Sequence, residues 1–579
     1  MNFEGKRPHY RIPVSSSLKE QDLIFRNYSS SKGGVSGNEK KLSREAGVPS
    51  GHDKEKDGRK SYWKIIALIT CTAAGITYFS YGRTLQQELG KSPINMDELN
   101  SSIIEKREHN FEVLQGSGGK KGSKHVKKNA DKLVVLTDYE VDAIFARNEN
   151  ASCIRAEPAR TGGGSGEIPY GQVKWYSNQI PSNSPIEDYI SYKRVEHNKH
   201  FFGVFDGHAG YRCAETISSE LPNLLSDSYE VIEQVLNNGF ETKKGANKTQ
   251  EDRIKEMVSV FSDSNKKSLR ENKDSIALTS TYILMDEKLV KDNLHKFMGL
   301  YKSELNGNEN SMSLEKQTEM LKDADNLLGP AVSGSCAIGL VLDAEAGKLT
   351  VANTGDSRAI IGRYNEGSGT YKAIPLSEDQ TANGNRKEYE RMIREHPSES
   401  STVIMRGRVL GGLMPTRAFG DSRYKWPIEV QNMLFPMLYQ NGHRYATSPR
   451  NYFTPPYVTA RPTLVVHELI PSDKFIVIAT DGLFDRLENS EIVEFVGSEL
   501  LKNSKEQKQG QKQQQKGEGE EGEGNVASKV IKFSLSRDDS NVKKLLANKD
   551  QKLANLLLSI PSPFSRSLRD DISVYVIVL

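Results

Sequence analysis

Four short acidic sequences in this chain could bind metal ions. They are the pairs Glu187-Asp188, Asp206-Gly207, Asp481-Gly482 and Asp570-Asp571, each at the end of a segment with a strand-like sequence. A glycine after an aspartate lets the backbone turn sharply and leaves the carboxylate at the edge of a sheet. Carboxylates that meet at such an edge would form the all-oxygen site that Mg²⁺ or Mn²⁺ prefers. Two such ions would activate a water molecule and hold phosphoryl oxygens.

A histidine next to one of these pairs could complete the chemistry. His208 directly follows Asp206-Gly207 and could donate a proton to a leaving alkoxide. A single Asp-Gly pair, however, is more typical of a hairpin turn than of a metal site. The acidic pairs are also spread widely along the chain, so their spacing alone does not show that they meet.

The elements that must position these residues are strands with helices between them. Thr137 and Glu140 have the spacing of a capping box, which predicts the start of a helix. Strands interspersed with helices, without regular alternation, predict an α+β fold. The predicted strands lie in residues 200–208, 335–343, 348–362, 474–482 and 571–579, and amphipathic helices are predicted at 213–225 and 386–395.

The composition excludes several classes of protein. The 579 residues include 79 Lys and Arg against 76 Asp and Glu, a net charge of +3, which excludes a generally basic nucleic-acid-binding surface. Only one uncharged stretch is long enough to be considered as a span, which excludes a multi-pass membrane protein. The cysteines have no CxxC or CxxxC spacing, so they predict neither a zinc site nor a disulfide framework. They are Cys71, Cys153, Cys213 and Cys336.

The first 60 residues predict a disordered region with features of a mitochondrial presequence. Residues 5–19 are basic, contain a run of three serines and lack acidic residues, as presequences do. Glu20 and Asp22 follow at once, and an ordinary disordered tail is the alternative.

Residues 61–83 predict one transmembrane helix. Residues 65–82 are uncharged and, as a helix, would span about 27 Å, enough for a bilayer core. Aromatic residues flank this stretch and basic residues precede it. The alternative is a buried helix or a part of the presequence. If the charge bias sets the orientation, the C-terminal part faces the intermembrane space, with the matrix as the alternative.

The remaining chain is predicted to be a linker followed by one large domain. Residues 84–130 are polar and predict a flexible linker, and a catalytic domain is predicted at 131–579. Two inserts interrupt this domain. Residues 240–275 are highly charged and predict a surface helix or a loop, whereas the low-complexity residues 502–528 predict a disordered loop.

Six motifs give the chain a family resemblance. They are FFGVFDGHAG (201–210), SGSCAIGLVL (333–342), ANTGDSRAII (352–361), TRAFGD (416–421), VIATDGLFD (477–485) and RDDISV (569–574). In this order they resemble the metal-dependent Ser/Thr protein phosphatases, the PPM or type 2C class. Residues 177–188, 408–426 and 452–462 resemble its pyruvate dehydrogenase phosphatase branch. The overall layout is similar to that of fungal mitochondrial members.

The resemblance implies a fold and a metal centre. The fold is a sandwich of two antiparallel sheets flanked by helices, with the ions in a cleft at one edge. Two Mg²⁺ or Mn²⁺ ions are implied, both bridged by Asp206, with a third ion near Asp481. The implied ligands of the two ions are Glu187, Asp206, the Gly207 carbonyl, Asp481 and Asp570, and those of the third include Asp356 and Asp485.

The resemblance also implies roles in the reaction. A hydroxide that bridges the ions would attack phosphorus in line, and His208 would be the general acid. Asp188, Asn183 and Asp571 are implied as supporting residues.

One position departs from the wider type 2C pattern. Many of these enzymes carry a phosphate-binding arginine where this chain has Asn183, a difference that the pyruvate dehydrogenase phosphatase branch shares. The substrate phosphate must then be held by the metals and by another cation. Arg358 and Arg417 are candidates, although a structural ion pair is the more typical role for each.

We therefore predict a phosphatase that activates the pyruvate dehydrogenase complex by removing phosphate from phosphoserine on its E1 alpha subunit. The same chemistry on another mitochondrial phosphoprotein is one alternative, and a membrane-tethered pseudophosphatase scaffold is another. A scaffold is expected to lose its metal-binding carboxylates, whereas Glu187, Asp206, Asp481 and Asp570 are all present. No nucleic-acid partner is predicted.

Overall fold

The structure is a computed structural model. It describes residues 96–115, 126, 129, 132–155, 172–196, 198–240, 248–302, 313–440, 442–445, 447–513, 524–537 and 552–579. The predicted presequence at 1–60 and the predicted membrane span at 61–83 lie outside these residues. Within the described ranges, no helix combines the length and the apolar character needed to cross a bilayer.

The strands of the described chain form two large sheets and one short hairpin. One sheet has the order β1-β2-β14-β13-β7-β8, and the other has the order β12-β6-β5-β4-β3 with β11 paired to β5. The neighbouring strands in both sheets are antiparallel, and β9 pairs with β10. The strand bounds are β1 Asn150–Arg155, β2 Gln172–Ile180, β3 Tyr189–Glu196, β4 Lys199–His208, β5 Gly334–Asp343, β6 Lys348–Thr354, β7 Arg358–Asn365, β8 Thr370–Pro375, β9 Ile404–Met405, β10 Arg408–Val409, β11 Phe419–Gly420, β12 Thr463–Glu468, β13 Asp473–Ala479 and β14 Ile572–Val578.

The two sheets pack face to face because their strands alternate in side-chain direction. In β4, Phe202 and Val204 lie in a core shared with Ile476 of the other sheet. Phe201 and Phe205 point the opposite way, into a second core under the helices. Asp206 and His208 follow Phe202 and Val204 at every second position of β4, so they lie on the same inward face, near the end of the strand.

Helices cover both outer faces of the sandwich. Their bounds are α1 Met96–Gln115, α2 Asp138–Ala146, α3 Arg212–Asn238, α4 Gln250–Phe261, α5 Lys266–Glu271, α6 Lys273–Glu287, α7 Asn293–Leu300, α8 Leu314–Val332, α9 Arg386–Glu395, α10 Ile428–Gln440, α11 Asp481–Phe484, α12 Asn489–Gln513, α13 Val526–Ser536 and α14 Leu553–Ser559. Apolar side chains of α3, α6 and α8 pack on the sheet that contains β4, and those of α2, α12, α13 and α14 pack on the sheet that contains β13.

These elements confirm the predicted α+β class and the predicted strands. The segment 348–362 divides into β6 and β7, because Gly355 adopts a positive φ of 115° at the turn between them. The capping box is also confirmed, since the Thr137 side chain accepts a hydrogen bond from the Glu140 backbone and the Glu140 carboxylate accepts one from the Thr137 backbone.

Part of the predicted linker at 84–130 is instead a helix that packs on the catalytic body. Leu99, Ile103 and Leu114 of α1 are buried in the same core as α14 and the sheet that contains β13. The sequence prediction missed α1 because most of its residues are polar or charged and only a narrow stripe is apolar. The folded body therefore begins well before residue 131.

Both predicted inserts contain helices. For the charged insert, a surface helix and a loop were the two alternatives, and the structure has helices at residues 250–261 and 266–271. The low-complexity segment 502–528 was predicted to be a loop, but α12 continues through it to residue 513 and α13 begins at residue 526. Lys, Gln and Glu have good helix propensity, which accounts for the difference.

Asn110 connects α1 to two other segments, and its removal is expected to be costly. Its Nδ2 donates to the carbonyls of Val134 at 2.9 Å and Ser559 at 3.0 Å, and its Oδ1 accepts from the Val134 backbone N–H at 2.8 Å. Asn110→Ala would leave the buried Ser559 carbonyl and the partly buried Val134 backbone groups without this partner, so we expect the free energy of unfolding to fall by about 2 kcal/mol. Denaturant unfolding measures it. Asn432→Ala, on the exposed side of α10, is the control, and an equal loss in both variants would contradict the prediction.

Candidate metal centre

Three carboxylates from separate elements meet at one end of the sandwich. Asp206 lies on the inward-facing side of β4, Asp356 lies between β6 and β7, and Asp481 is the first residue of α11, directly after β13. Each offers one oxygen, and these oxygens lie within 4.8 Å of one another. We call these three residues the carboxylate cluster. It brings together residues that the sequence placed in three distant motifs.

The electrostatics of the carboxylate cluster fit a divalent cation. Burial, followed by the charge of Asp481, raises the pKa of Asp206 well above its usual value. Burial and the charge of Asp356 raise the pKa of Asp481 to about 7. The buried Asp481 Oδ1 has no hydrogen-bond partner among the described residues. Such carboxylates repel one another unless a cation lies between them, and a set of oxygen donors suits Mg²⁺ or Mn²⁺.

This electrostatic arrangement predicts a pH dependence. A cation binds the ionised carboxylates, so we expect Mn²⁺ affinity to rise with pH up to about 7, where Asp481 loses its proton. The metal-free protein should behave in the opposite way. Because Asp481 holds its proton more tightly when folded than when unfolded, its contribution to stability is lost as pH rises through the folded pKa. Calorimetric titrations and thermal unfolding between pH 5 and 8 test both signs, and a Mn²⁺ affinity independent of pH would contradict the prediction.

Asp571 fixes the loop that carries Glu187. Its carboxylate is buried and accepts hydrogen bonds from the backbone N–H groups of Ser182, of Asn183 at 2.8 Å and of Glu187 at 2.8 Å. The Asn183 side chain also donates to Asp571, at 3.0 Å. The backbone and the side-chain amide of Asn183 therefore both donate to the Asp571 carboxylate.

Asp188 and Glu187 lie in the same acidic neighbourhood. Burial and the charge of Asp571 raise the pKa of Asp188 well above its usual value, and the same two causes raise the pKa of Glu187. Asp188 is buried, and its Oδ2 has no partner among the described residues.

The glycines of the two Asp-Gly pairs have a role that differs from the predicted one. Neither Gly207 nor Gly482 has a positive φ, so neither makes the sharp turn that the sequence suggested. A Cβ on Gly207 would lie 2.1 Å from the Glu187 carbonyl oxygen, and one on Gly482 would lie 2.0 Å from the Asp571 carbonyl oxygen. These glycines are required because a neighbouring backbone approaches them closely.

Gly207→Ala is therefore expected to weaken metal binding without unfolding the protein. The new methyl group would push the Glu187 backbone away from Asp206, and displaced supporting groups typically cost 10- to 100-fold in metal affinity, so we expect a loss of about 10-fold or more. Titration calorimetry with Mn²⁺ measures it. Gly299→Ala in α7, where a Cβ meets nothing within 4 Å, is the matched control. Wild-type affinity in Gly207→Ala would contradict the prediction.

Three of the predicted carboxylate ligands lie outside the carboxylate cluster. Asp570 pairs with Arg566, and Glu187 is held by the loop that Asp571 fixes. Burial and the charge of Asp356 raise the pKa of Asp485. Asp485 therefore interacts electrostatically with the carboxylate cluster, although it is not one of its three members. Their assignment as metal ligands stays a prediction.

His208 has a partner that the sequence did not reveal. Its Nε2 lies 2.7 Å from Asp421 Oδ2, and the Asp421 side chain is 6% exposed. Burial lowers the pKa of His208, but the charge and hydrogen bond of Asp421, together with the charges of Asp356 and Glu187, raise it overall. A Cβ on Gly334 would lie 2.2 Å from His208 Nε2 and 2.5 Å from Asp421 Oδ2. Gly334 therefore leaves room for the His208–Asp421 pair, which a side chain at this position would displace.

The backbone around Asp421 is held in an uncommon conformation. Asp421 has a φ of 51°, in the left-handed region, which side chains other than glycine rarely adopt. Its N–H donates to the Ser333 carbonyl at 2.9 Å. The preceding Gly420 N–H donates to Asp286 at 2.9 Å, and Lys425 pairs with the same carboxylate at 2.8 Å. Asp421 ends the TRAFGD motif, which was the only sequence signal for it.

Two arginines considered as phosphate ligands are engaged elsewhere. Arg358 forms two hydrogen bonds of 2.7 Å with Asp379. Arg417 binds Glu388 at 2.6 and 3.0 Å. Both have the structural ion-pair role that was the more typical expectation.

A thiol also touches the carboxylate cluster. Cys336 of β5 lies opposite Asp206 in the sheet register, and its Sγ donates to Asp356 Oδ1 at 3.1 Å. Burial raises the pKa of this thiol well above its usual value, so it is a neutral donor. Cys336 therefore helps to orient Asp356.

Comparison with known proteins identifies the family of this chain. The family model "Protein phosphatase 2C" matches residues 237–517, a range that includes Asp356, Asp421 and Asp481. The chain is 33% identical over 425 residues to the mitochondrial [pyruvate dehydrogenase [acetyl-transferring]]-phosphatase 1 of Bos taurus, covering 69% of this chain and 76% of that protein.

Two further relatives carry related names. The human mitochondrial phosphatase 2 of the same name is 31% identical over 436 residues, covering 71% of this chain and 78% of that protein. Phosphatase 1 of Saccharomyces cerevisiae is 31% identical over 496 residues, covering 78% of this chain and 74% of that protein. The chain therefore belongs to the protein phosphatase 2C family of protein serine/threonine phosphatases, in the branch of the pyruvate dehydrogenase phosphatases.

Proposed function

We propose that this phosphatase removes phosphate from phosphoserine on the E1 alpha subunit of pyruvate dehydrogenase in mitochondria, with metal ions held by the carboxylate cluster. The observation that carries the proposal is the approach of the Asp206, Asp356 and Asp481 oxygens to within 4.8 Å, with His208 two residues from Asp206. Such a site suits a hard cation and a phosphoryl group together. The intact cluster also argues against a pseudophosphatase scaffold.

The proposed metal set is two Mg²⁺ or Mn²⁺ ions and a weaker third. Bound ions supply Lewis-acid activation of water and neutralise phosphoryl charge. The chain holds them in a fixed array so that little reorganisation is needed during the reaction. The proposed ligands are Asp206, the Gly207 carbonyl, Glu187, Asp481 and Asp570, with Asp356 and Asp485 at the third ion.

His208 is the proposed proton donor. Serine leaves as an alkoxide, a strong base, so protonation of its oxygen lowers the barrier. Asp421, 2.7 Å from Nε2, holds the imidazole in one orientation at the end of β4, the strand that also carries Asp206. We propose Asp421 as a positioning residue rather than as a group that touches the substrate.

The substrate and compartment are proposed from the relatives. Three of them carry pyruvate dehydrogenase phosphatase and mitochondrial in their names. We also propose that residues 61–83 anchor the enzyme in the inner membrane, with the domain in the intermembrane space and the matrix as the alternative. Carbonate extraction and protease protection of intact and swollen mitochondria test this. Protection of the domain after rupture of the outer membrane would place it in the matrix.

The experiment for the proposed activity is phosphate release from phosphorylated pyruvate dehydrogenase E1. The full-length protein is assayed with Mg²⁺, with Mn²⁺ and with EDTA, beside a generic phosphoserine peptide. Metal-dependent release from E1 at a higher kcat/KM than from the peptide is expected. Release from the peptide alone would retain the phosphatase and reject the substrate, and no release from either by folded protein would favour the scaffold.

A further inference from the structure

The substrate phosphate needs a cation that the residues considered so far do not provide. A phosphoserine side chain carries a charge of about −1.5 to −2 at neutral pH, and arginine binds such a group through two parallel hydrogen bonds. Arg358 and Arg417 are bound to Asp379 and Glu388. Asn183 carries no charge, and its amide is bound to Asp571.

Arg566 differs from these arginines in its partner. It pairs with Asp570, four residues along the chain, and its side chain is 43% exposed. Asp570 is one of the proposed metal ligands. The other arginine of this segment, Arg569, is 6% exposed and donates to the Pro181 carbonyl at 2.6 Å. Of these four arginines, Arg566 both pairs with a proposed metal ligand and remains open to solvent.

The segment that carries Arg566 is tied to the Asn183 loop. Ser565 is buried, and its Oγ donates to the Ser182 carbonyl at 2.6 Å. The Ser182 Oγ in turn donates to the Arg569 carbonyl at 2.8 Å. These bonds fix the backbone on both sides of Arg566 and place it beside the loop of Asn183. A fixed backbone lowers the entropy cost of directing a long side chain toward a ligand.

The charge of Arg566 also reaches the metal centre. It favours the ionised forms of Glu187, Asp481 and Asp485. Burial raises the pKa of all three groups, and the charge of Arg566 opposes that rise. Arg566 therefore lies close enough to act on carboxylates from two different segments.

We propose that Arg566 binds the phosphoryl oxygens of the substrate once metal ions have neutralised Asp570. The guanidinium pairs with Asp570. A cation that takes Asp570 as a ligand withdraws charge from that pair, and the planar fork of Arg566 becomes available for two hydrogen bonds to phosphate. This inference rests on the proposed function, because it needs metal ions at Asp570.

The test uses inorganic phosphate as the probe and does not depend on turnover. Full-length wild type, Arg566→Ala and Arg566→Lys are titrated calorimetrically first with Mn²⁺ and then, loaded with Mn²⁺, with phosphate. Arg537→Ala is the matched control, since Arg537 is 40% exposed and pairs with Glu491 on the surface. The KM and kcat for a phosphoserine peptide are measured on the same four proteins.

The proposal expects Arg566→Ala to weaken phosphate binding about 10- to 100-fold. Arg566→Lys should be intermediate, because it keeps the charge and loses the fork, and Mn²⁺ affinity should be unchanged or tighter. An unchanged Kd for phosphate with tighter Mn²⁺ binding would overturn the proposal and make Arg566 only the counter-ion of Asp570. If Arg566→Ala does not fold, the Arg566→Lys result decides.

The same experiment separates this inference from the proposed function. Wild type that fails to bind Mn²⁺ would overturn both. Wild type that binds Mn²⁺ and phosphate but does not dephosphorylate E1 would reject the substrate alone and leave the comparison between wild type and Arg566→Ala valid.

Discussion

Asp206→Asn is expected to lower the rate of phosphate release by about 10³-fold or more while leaving the protein folded. Asp206 lies on the inward face of β4, and one of its oxygens lies within 4.8 Å of oxygens of Asp356 and Asp481. An amide keeps the shape of the carboxylate but supplies one neutral oxygen in place of a charged pair. The variant should therefore lose Mn²⁺ affinity and activity together.

The stability of this variant gives a second readout. Without metal, Asp206 is a buried carboxyl group whose pKa is raised by burial and by the charge of Asp481. Replacing it with a neutral amide removes this repulsion, so the metal-free variant is expected to be as stable as wild type or more stable at pH 8, where repulsion is greatest. Thermal unfolding with EDTA measures this.

The control is an Asp→Asn change far from the carboxylate cluster. Asp142 is exposed on α2 and pairs with Lys532, and Asp142→Asn should keep wild-type activity. Full activity of Asp206→Asn, or loss of activity with unchanged Mn²⁺ affinity, would show that Asp206 does not hold the metal.

Asp421→Asn is expected to lower kcat for a phosphoserine peptide by about 10²-fold. The amide oxygen can still accept the His208 N–H hydrogen bond, but the amide lacks the negative charge of the carboxylate, which lies 2.7 Å from Nε2, orients the imidazole and raises its pKa. Asparagine tolerates the left-handed backbone at this position, where φ is 51°, so the turn itself should be retained.

The choice of substrate distinguishes positioning from a general structural effect. p-Nitrophenyl phosphate has a leaving group that departs without protonation, so its kcat should fall far less than that of the phosphoserine peptide. The double variant His208→Ala/Asp421→Asn should be no slower on the peptide than His208→Ala alone, because the two residues act as one unit. Equal losses on both substrates, or additive effects in the double variant, would contradict the prediction.

Much of the architecture could be predicted from the sequence, because it is encoded locally. The strand at 199–208 shows the alternation of residues such as Phe202 and Val204 that face the other sheet, and the capping box at Thr137 depends on residues three positions apart. The six ordered motifs also indicated the family, which the comparison confirmed. Helix α1 was missed because its apolar stripe is narrow, and its burial depends on a partner more than four hundred residues away.

The contacts between the functional residues were decided by the tertiary structure. The sequence determined which side chains carry charge and where the strands that present them end. It did not determine that Gly207 makes room for the Glu187 backbone, that Asp421 meets His208, or that Arg566 faces Asp570 beside the Asn183 loop. Periodicity reports only whether a face is buried. The Gly207 and His208 contacts arise because β3, β4, β5 and β11 pair within one sheet, and the carboxylate cluster forms because the ends of both sheets meet. The sequence therefore determined the chemistry available to this protein, and the pairing of the strands and the packing of the sheets decided its geometry.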